Sequence, residues 1–289
     1  MSLLSLEITG TFVRSNQRKF NMEIIALVGY AAAIIIGVSL GLIGGGGSIL
    51  TVPVLVYILG IDPVLATAYS LFVVGSTSLV GSFTYMRKQL VDYKTALVFA
   101  VPTFIAVFLT RKFVVPSLPD PLFAMGEMQV TKSIGIMVFF AIIMLAASYS
   151  MIKGSGKKDS EEENEVKFNI PLIAVEGLVV GLITGLVGAG GGFLIIPALV
   201  LLAKLPMKMA VGTSLLIIAA KSLIGFLGDV SNQVIDWNML LIFTGLSIVG
   251  IFIGSSLSKK INEKALKKGF GWFVLIMGVY IIFKELIAM

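Results

Sequence analysis

Two ionisable side chains, Lys221 and Glu176, stand well inside apolar stretches of this 289-residue chain. Such a group is expensive to place in a hydrocarbon environment and by default marks function. Two glycine clusters carry a second signal. GGGG at 44–47, followed by Ser48, and GAGGG at 188–192 each precede an apolar stretch of unusual shortness. Glycine permits close backbone approach and unusual φ. A helix that begins at such a cluster presents unpaired N–H groups at the positive end of its dipole. Tight packing of small residues is the competing account of either cluster alone. Two matched clusters, each opening a short helix, favour a binding site built from Gly44, Gly46, Gly47, Ser48, Gly188, Gly190, Gly191 and Gly192. Pro53 and Pro197 follow inside the short helices, where each removes a backbone donor and shapes the helix. Hydroxyls come next: Thr67, Ser70, Ser76, Thr77 and Ser78, then Thr213, Ser214 and Ser222. Ser70 and Ser214 hold equivalent places and rank first as donors. Three roles stay open for Glu176: ion-pair partner of Lys221, proton carrier, or lining of a hydrated vestibule.

The elements that position these residues are membrane helices. Hydrophobic residues make up 57% of the chain and charged residues 13%, with a mean hydropathy of +1.02. So few charges cannot cover a soluble surface, which excludes a soluble enzyme, a disordered chain and a nucleic-acid-binding protein. The expectation is an all-α polytopic membrane protein in contact with the lipid bilayer. There is no Cys and no His. Disulfides, thiolate or imidazole metal sites and Ser–His catalysis are therefore excluded; neither a cofactor nor an enzymatic activity is expected. The net charge of +6 reads as cytoplasmic Lys and Arg setting orientation.

Ten apolar segments are expected, at about 22–43, 47–60, 65–86, 93–115, 130–152, 170–188, 191–203, 209–229, 237–257 and 266–286. Most reach the roughly 20 residues that a helix needs to span the bilayer. The two that follow the glycine clusters do not, and short Gly-interrupted segments in matching places point to a transporter site. Residues 1–21 form an extramembrane arm, 22–152 a first repeat, 153–169 a hydrophilic linker and 170–289 a second repeat. The halves align without a gap at an offset of 144 over residues 37–99, with 20 identities in 63 positions. GLIGGGGSILTVPVLV (41–56) matches GLVGAGGGFLIIPALV (185–200), and QLVDY (89–93) matches QVIDW (233–237). Lys221 falls where the first half has Thr77. Gln89, Asp92, Gln233 and Asp236 sit at helix beginnings, where the aspartates read as N-caps rather than as ligands. Five segments per half make the repeats antiparallel in the membrane. The Lys and Arg of the loops then divide 14 to 7 between the two sides, against an even split for parallel halves, so the positive-inside rule favours inversion.

The duplicated pattern G-x-x-G-x-G-G-x-x-x-x-x-P, then A-x-x-x-S-L, then Q-h-h-D-aromatic (h apolar) resembles the TauE/SafE family of sulfite and organosulfonate exporters across residues 22–289. One departure is Ser48, where the second cluster has Gly192. The resemblance implies a multi-pass transporter of the prokaryotic inner membrane that exports a small sulfur-containing anion such as sulfite, sulfoacetate or a related sulfonate. A homo-oligomer is compatible with it. Helix N-termini suit such an anion, since they offer donors and positive potential without a rigid cage. Lys221 would add charge. Secondary transport leads; a passive anion channel or uniporter is the alternative.

Overall fold

The computed structural model describes residues 24–125, 128–153, 170–201, 203, 205–257 and 263–288. The expected arm (1–21) and nearly all of the linker (153–169) lie outside the described residues. Helix α1 covers 24–43. α2 follows without a loop, winding as a 3-10 helix over Gly44–Leu50, as α over Thr51–Pro53 and as π over Val54–Ile58. α3 is Pro63–Arg87; the Asp62 carboxylate caps it by accepting from the N–H groups of Val64 at 2.9 Å and Leu65 at 3.3 Å, with Pro63 at the first position. α4 is Tyr93–Leu109 and continues through a π-turn, Thr110–Val114, into Val115–Ser117. α5, Lys132–Lys153, closes the first half, and the second half holds α6 Ile170–Val187, α7 Gly192–Leu201, α8 Met207–Val230, α9 Trp237–Leu257 and α10 Glu263–Ala288.

The expectation of an all-helical chain needs one addition. Strands β1 (Phe123–Met125) and β2 (Met128–Val130) form a small antiparallel hairpin between α4 and α5, with Phe123 opposite Val130. Each strand has only three residues, too few to show alternation in the sequence.

Among the described residues, six stretches are long and apolar enough to cross a bilayer: Ile24–Ile58, Pro63–Arg87, Tyr93–Ser117, Lys132–Tyr149, Lys208–Val230 and Trp237–Leu257; Ile173–Val187 is apolar but shorter. Large apolar side chains such as Leu27, Leu97 and Ile276 point outward, as a lipid-facing surface requires. Apolar surface brings no net gain between helices in lipid, so close packing of small residues must hold them together. The contacts have that form. Gly37 and Gly41 of α1 lie against the Ser247 and Ile251 carbonyls of α9. Gly181 and Gly185 of α6 lie against Thr103 and Thr110 of α4.

The same contacts recur with their partners exchanged at the 144-residue offset. Gly37–Ser247 is matched by Gly181–Thr103, and Gly44–Val211 by Gly188–Thr67. The Asp92 N–H donates to Thr213 Oγ1 at 2.9 Å, and the Asp236 N–H to the Tyr69 hydroxyl at 2.7 Å. The Ile61 N–H reaches the Leu55 carbonyl at 3.0 Å, as the Leu205 N–H reaches that of Leu199 at 3.0 Å. α3 and α8 cross antiparallel: Gly75 meets Leu223, Gly81 meets Leu215, and Leu71 meets Gly225.

Substitution separates packing glycines from idle ones. A Cβ at Gly250 would strike the Ile34 carbonyl and the Gly37 Cα, whereas one at Gly245 meets nothing within 4 Å. Gly250→Leu should therefore cost about 1–3 kcal/mol or more through overpacking and lower the thermal unfolding midpoint in detergent. Gly245→Leu should leave that midpoint near wild type.

Candidate functional site

The two glycine clusters meet. A Cβ on Gly192 would fall on the Cα, C and O atoms of Gly45, and one on Gly45 would stand 2.7 Å from the Gly192 Cα. A Cβ on Gly190 would lie 3.1 Å from the Ser48 Cβ. All residues of both clusters are buried. Gly44, Gly46, Gly47, Ser48, Gly188, Gly190, Gly191 and Gly192 thus belong to two turns in backbone contact.

The turns differ. Gly188, Gly190 and Gly191 take φ of +71°, +65° and +62°, while in the first cluster Gly44 alone is left-handed, at +69°. Ser48 stabilises the tighter 3-10 winding by donating its hydroxyl to the Gly45 carbonyl at 2.7 Å; Gly192, its counterpart, has no hydroxyl to give. In the second cluster the Leu194 and Ile195 N–H groups both close on the Gly191 carbonyl, at 3.0 and 3.1 Å, so α7 starts there. These positions also set a limit on mutagenesis. A Cβ on Gly47 would meet Leu40 N and Ser39, and one on Gly191 would meet Thr184. Gly47→Leu and Gly191→Leu therefore perturb the fold itself and do not test binding alone.

Lys221 projects from α8 to this junction. Its side chain is fully buried, and Nζ donates to Thr184 Oγ1 at 2.9 Å. A Cβ on Gly191 would stand 2.9 Å from Nζ. Among the described residues no carboxylate lies within ion-pair distance of it. Glu176 is not its partner: it sits partly exposed on α6, eight residues before Thr184, about 12 Å along the helix. The ion-pair role is thereby removed for Glu176.

The hydroxyls divide by how they are used. Ser70, Thr77, Ser78 and Ser222 are buried with no partner among the described residues. Ser214 donates to the Val211 carbonyl at 2.8 Å. Of the two serines ranked first, Ser70 keeps a free donor and Ser214 does not. Pro53 is buried where α2 passes from α to π winding, and Pro197 lies within α7. Gln89 is exposed at φ +56°, in the corner between α3 and α4, and the Gln233 N–H donates to the Asp229 carbonyl at 3.0 Å. Asp92 and Asp236 cap their helices, accepting from the Thr95 and Met239 N–H groups at 3.0 and 3.1 Å.

Two charged residues escaped the sequence reading. Arg111 is fully buried; its Nη1 lies 3.5 Å from Asp229 Oδ2 and donates to Thr67 Oγ1 at 2.8 Å. Arg111 stands near the end of its apolar stretch, where a charge ordinarily belongs to a loop. The one linear hint was the further apolar run Phe113–Val115 beyond it.

Comparison with known proteins gives a consistent result. The family model for "Sulfite exporter TauE/SafE" matches residues 29–281. A "Probable membrane transporter protein" of Xylella fastidiosa (strain 9a5c) is 27% identical over 255 residues, covering 87% of this chain and 92% of its own. The "Probable membrane transporter protein YunE" of Bacillus subtilis (strain 168) is 25% identical over 269 residues, covering 86% and 93%. The "Probable membrane transporter protein MJ0441" of Methanocaldococcus jannaschii is 32% identical over 124 residues, 41% of this chain and 46% of its own. No solved structure matches.

Thr184→Val removes the hydroxyl that Lys221 uses and should destabilise the protein by about 1–3 kcal/mol, the cost of a stranded buried donor. In the double variant with Lys221→Met that penalty should largely vanish, giving a loss smaller than the sum of the singles. Thermal unfolding of the four proteins in detergent measures the cycle.

Proposed function

The chain belongs to the TauE/SafE family of membrane transporters, and on that footing we propose that it exports a small sulfur-containing anion, sulfite or an organosulfonate such as sulfoacetate, by secondary transport. The observation that carries the reading is the meeting of two glycine turns beside a buried lysine with no carboxylate partner. Lys221 supplies the charge. The start of α7 supplies N–H groups that have no intrahelical acceptor, at the positive end of its dipole. Ser70, Thr77, Ser78 and Ser222 supply hydroxyls. A compact oxyanion can accept from each of these kinds of donor.

In the same reading the halves are inverted repeats in a prokaryotic inner membrane. The exchanged contacts at the 144-residue offset and the antiparallel crossing of α3 and α8 support it, because a two-fold axis relating antiparallel spanning helices lies in the membrane plane.

Flux into proteoliposomes, measured with sulfite, sulfoacetate, taurine and sulfate, tests the substrate class. Sulfite or sulfoacetate should cross faster than in protein-free vesicles. No acceleration of any of the four overturns the reading, and flux that ignores imposed pH and cation gradients makes the protein a uniporter. Lys221→Met keeps most of the apolar stem and removes the charge. It should weaken anion binding by about 1–3 kcal/mol, roughly five- to 150-fold. Lys221→Arg should be intermediate, since the charge stays and its geometry changes.

A further inference from the structure

Arg111 is the largest fully buried side chain of the described residues, and its guanidinium is used on one side only. Nη1 serves both Asp229 Oδ2 and Thr67 Oγ1. Nε and Nη2 are buried and have no partner among the described residues. Those two nitrogens share one edge of the guanidinium plane and donate in parallel, the arrangement that meets two oxygens of one acceptor group. Leaving such donors empty in a dry interior is costly, so the edge calls for an acceptor that the described residues do not supply. Asp229 does not fill the role. Its Oδ2 makes a single 3.5 Å contact with Nη1, and that oxygen has no hydrogen bond among the described residues.

The backbone holds the guanidinium inward. Arg111 lies in the π-turn Thr110–Val114, where Arg111 is buried and Lys112 beside it is exposed; turns of this type recur at functional sites. The position also joins Arg111 to the glycine turns through one residue. Thr67, which takes Nη1, has its Cβ, Cα and carbonyl where a Cβ on Gly188 would fall, and Thr110 packs on Gly185. Lys221 reaches the same stretch of chain at Thr184 and Gly191. Two buried cations thus flank residues 184–191 of one helix end.

We propose that Arg111 is a second oxyanion-binding residue: its Nε–Nη2 edge takes two oxygens of a sulfite or sulfonate group, Thr67 orients the guanidinium, and Asp229 competes with the anion for it. The proposal deepens the transport reading and rests on it for the identity of the anion.

The test uses the full chain in nanodiscs and reads thermal stabilisation against methanesulfonate concentration, with chloride at equal ionic strength as the reference. Wild type should be stabilised by methanesulfonate beyond chloride. Arg111→Lys keeps a cation for Asp229 and Thr67 but has no second edge, so the half-saturating concentration should rise about tenfold. Asp229→Asn removes the competing carboxylate and should lower that concentration. A titration of Arg111→Lys like that of wild type overturns the proposal and reduces Arg111 to a structural ion pair. So does wild type that methanesulfonate stabilises no more than chloride. If Arg111→Lys does not fold, an unchanged half-saturating concentration in Asp229→Asn overturns it as well. Sulfite and sulfoacetate flux in proteoliposomes separates the two readings. Weakened binding in Arg111→Lys with no wild-type flux sinks the transport reading and leaves this site standing, and flux with unchanged binding in Arg111→Lys does the reverse.

Discussion

The structure depends on one close approach, that of the Gly45 backbone to the Gly192 backbone. No Cβ fits between them, so no other residue can stand at either place without moving a helix. Everything proposed for the site follows from this contact. It brings the change of winding at Gly44–Ser48 and the start of α7 together from opposite halves of the chain, and it sets the turn at Gly188–Gly191 beside Lys221. The longer helices hold the contact in register through further small-residue contacts, α1 on α9 and α4 on α6. In lipid, where apolar burial brings no net gain, such close backbone packing replaces the hydrophobic core of a soluble protein.

Around that contact the protein places charge where charge is expensive. Among the described residues, Lys221 rests on a threonine hydroxyl alone, and Arg111 on a threonine and one distant carboxylate oxygen. A purely structural arrangement would pair these groups fully, since half-satisfied buried polar groups cost more than apolar substitutes. The unused donors, like the unpartnered hydroxyls of Ser70, Thr77, Ser78 and Ser222, are the groups on which the proposed oxyanion reading rests.

Much of this was legible in the sequence because it is periodic or duplicated. Apolar runs marked the helices, and the repeated glycines marked the turns. Lys221 stood out because it interrupts a long apolar run. The rest depends on geometry that a linear pattern does not carry. Arg111 and Asp229 sit near helix ends, where a charge ordinarily faces water; a π-turn directs the first inward, and the second lies across from it on α8. Nor does alignment reveal that Ser70 keeps its hydroxyl free while Ser214 gives its own to the backbone. The short hairpin after α4 left no alternation to detect. Pairing with Lys221 was one of three roles open to Glu176, and rarity alone says nothing about which turn of a helix a side chain occupies.

The duplicated corners differ in one respect that reaches beyond the site. Asp92 is held by a threonine and Asp236 by a tyrosine, through the same backbone N–H. A phenol hydroxyl reaches several bonds further from its own backbone than a threonine hydroxyl does. The corner before α9 is therefore tied to α3 through a long side chain, and the corner before α4 to α8 through a short one. Shortening Tyr69 would therefore cut the tie before α9 outright, whereas the tie before α4 survives any exchange that keeps a hydroxyl on the β-carbon.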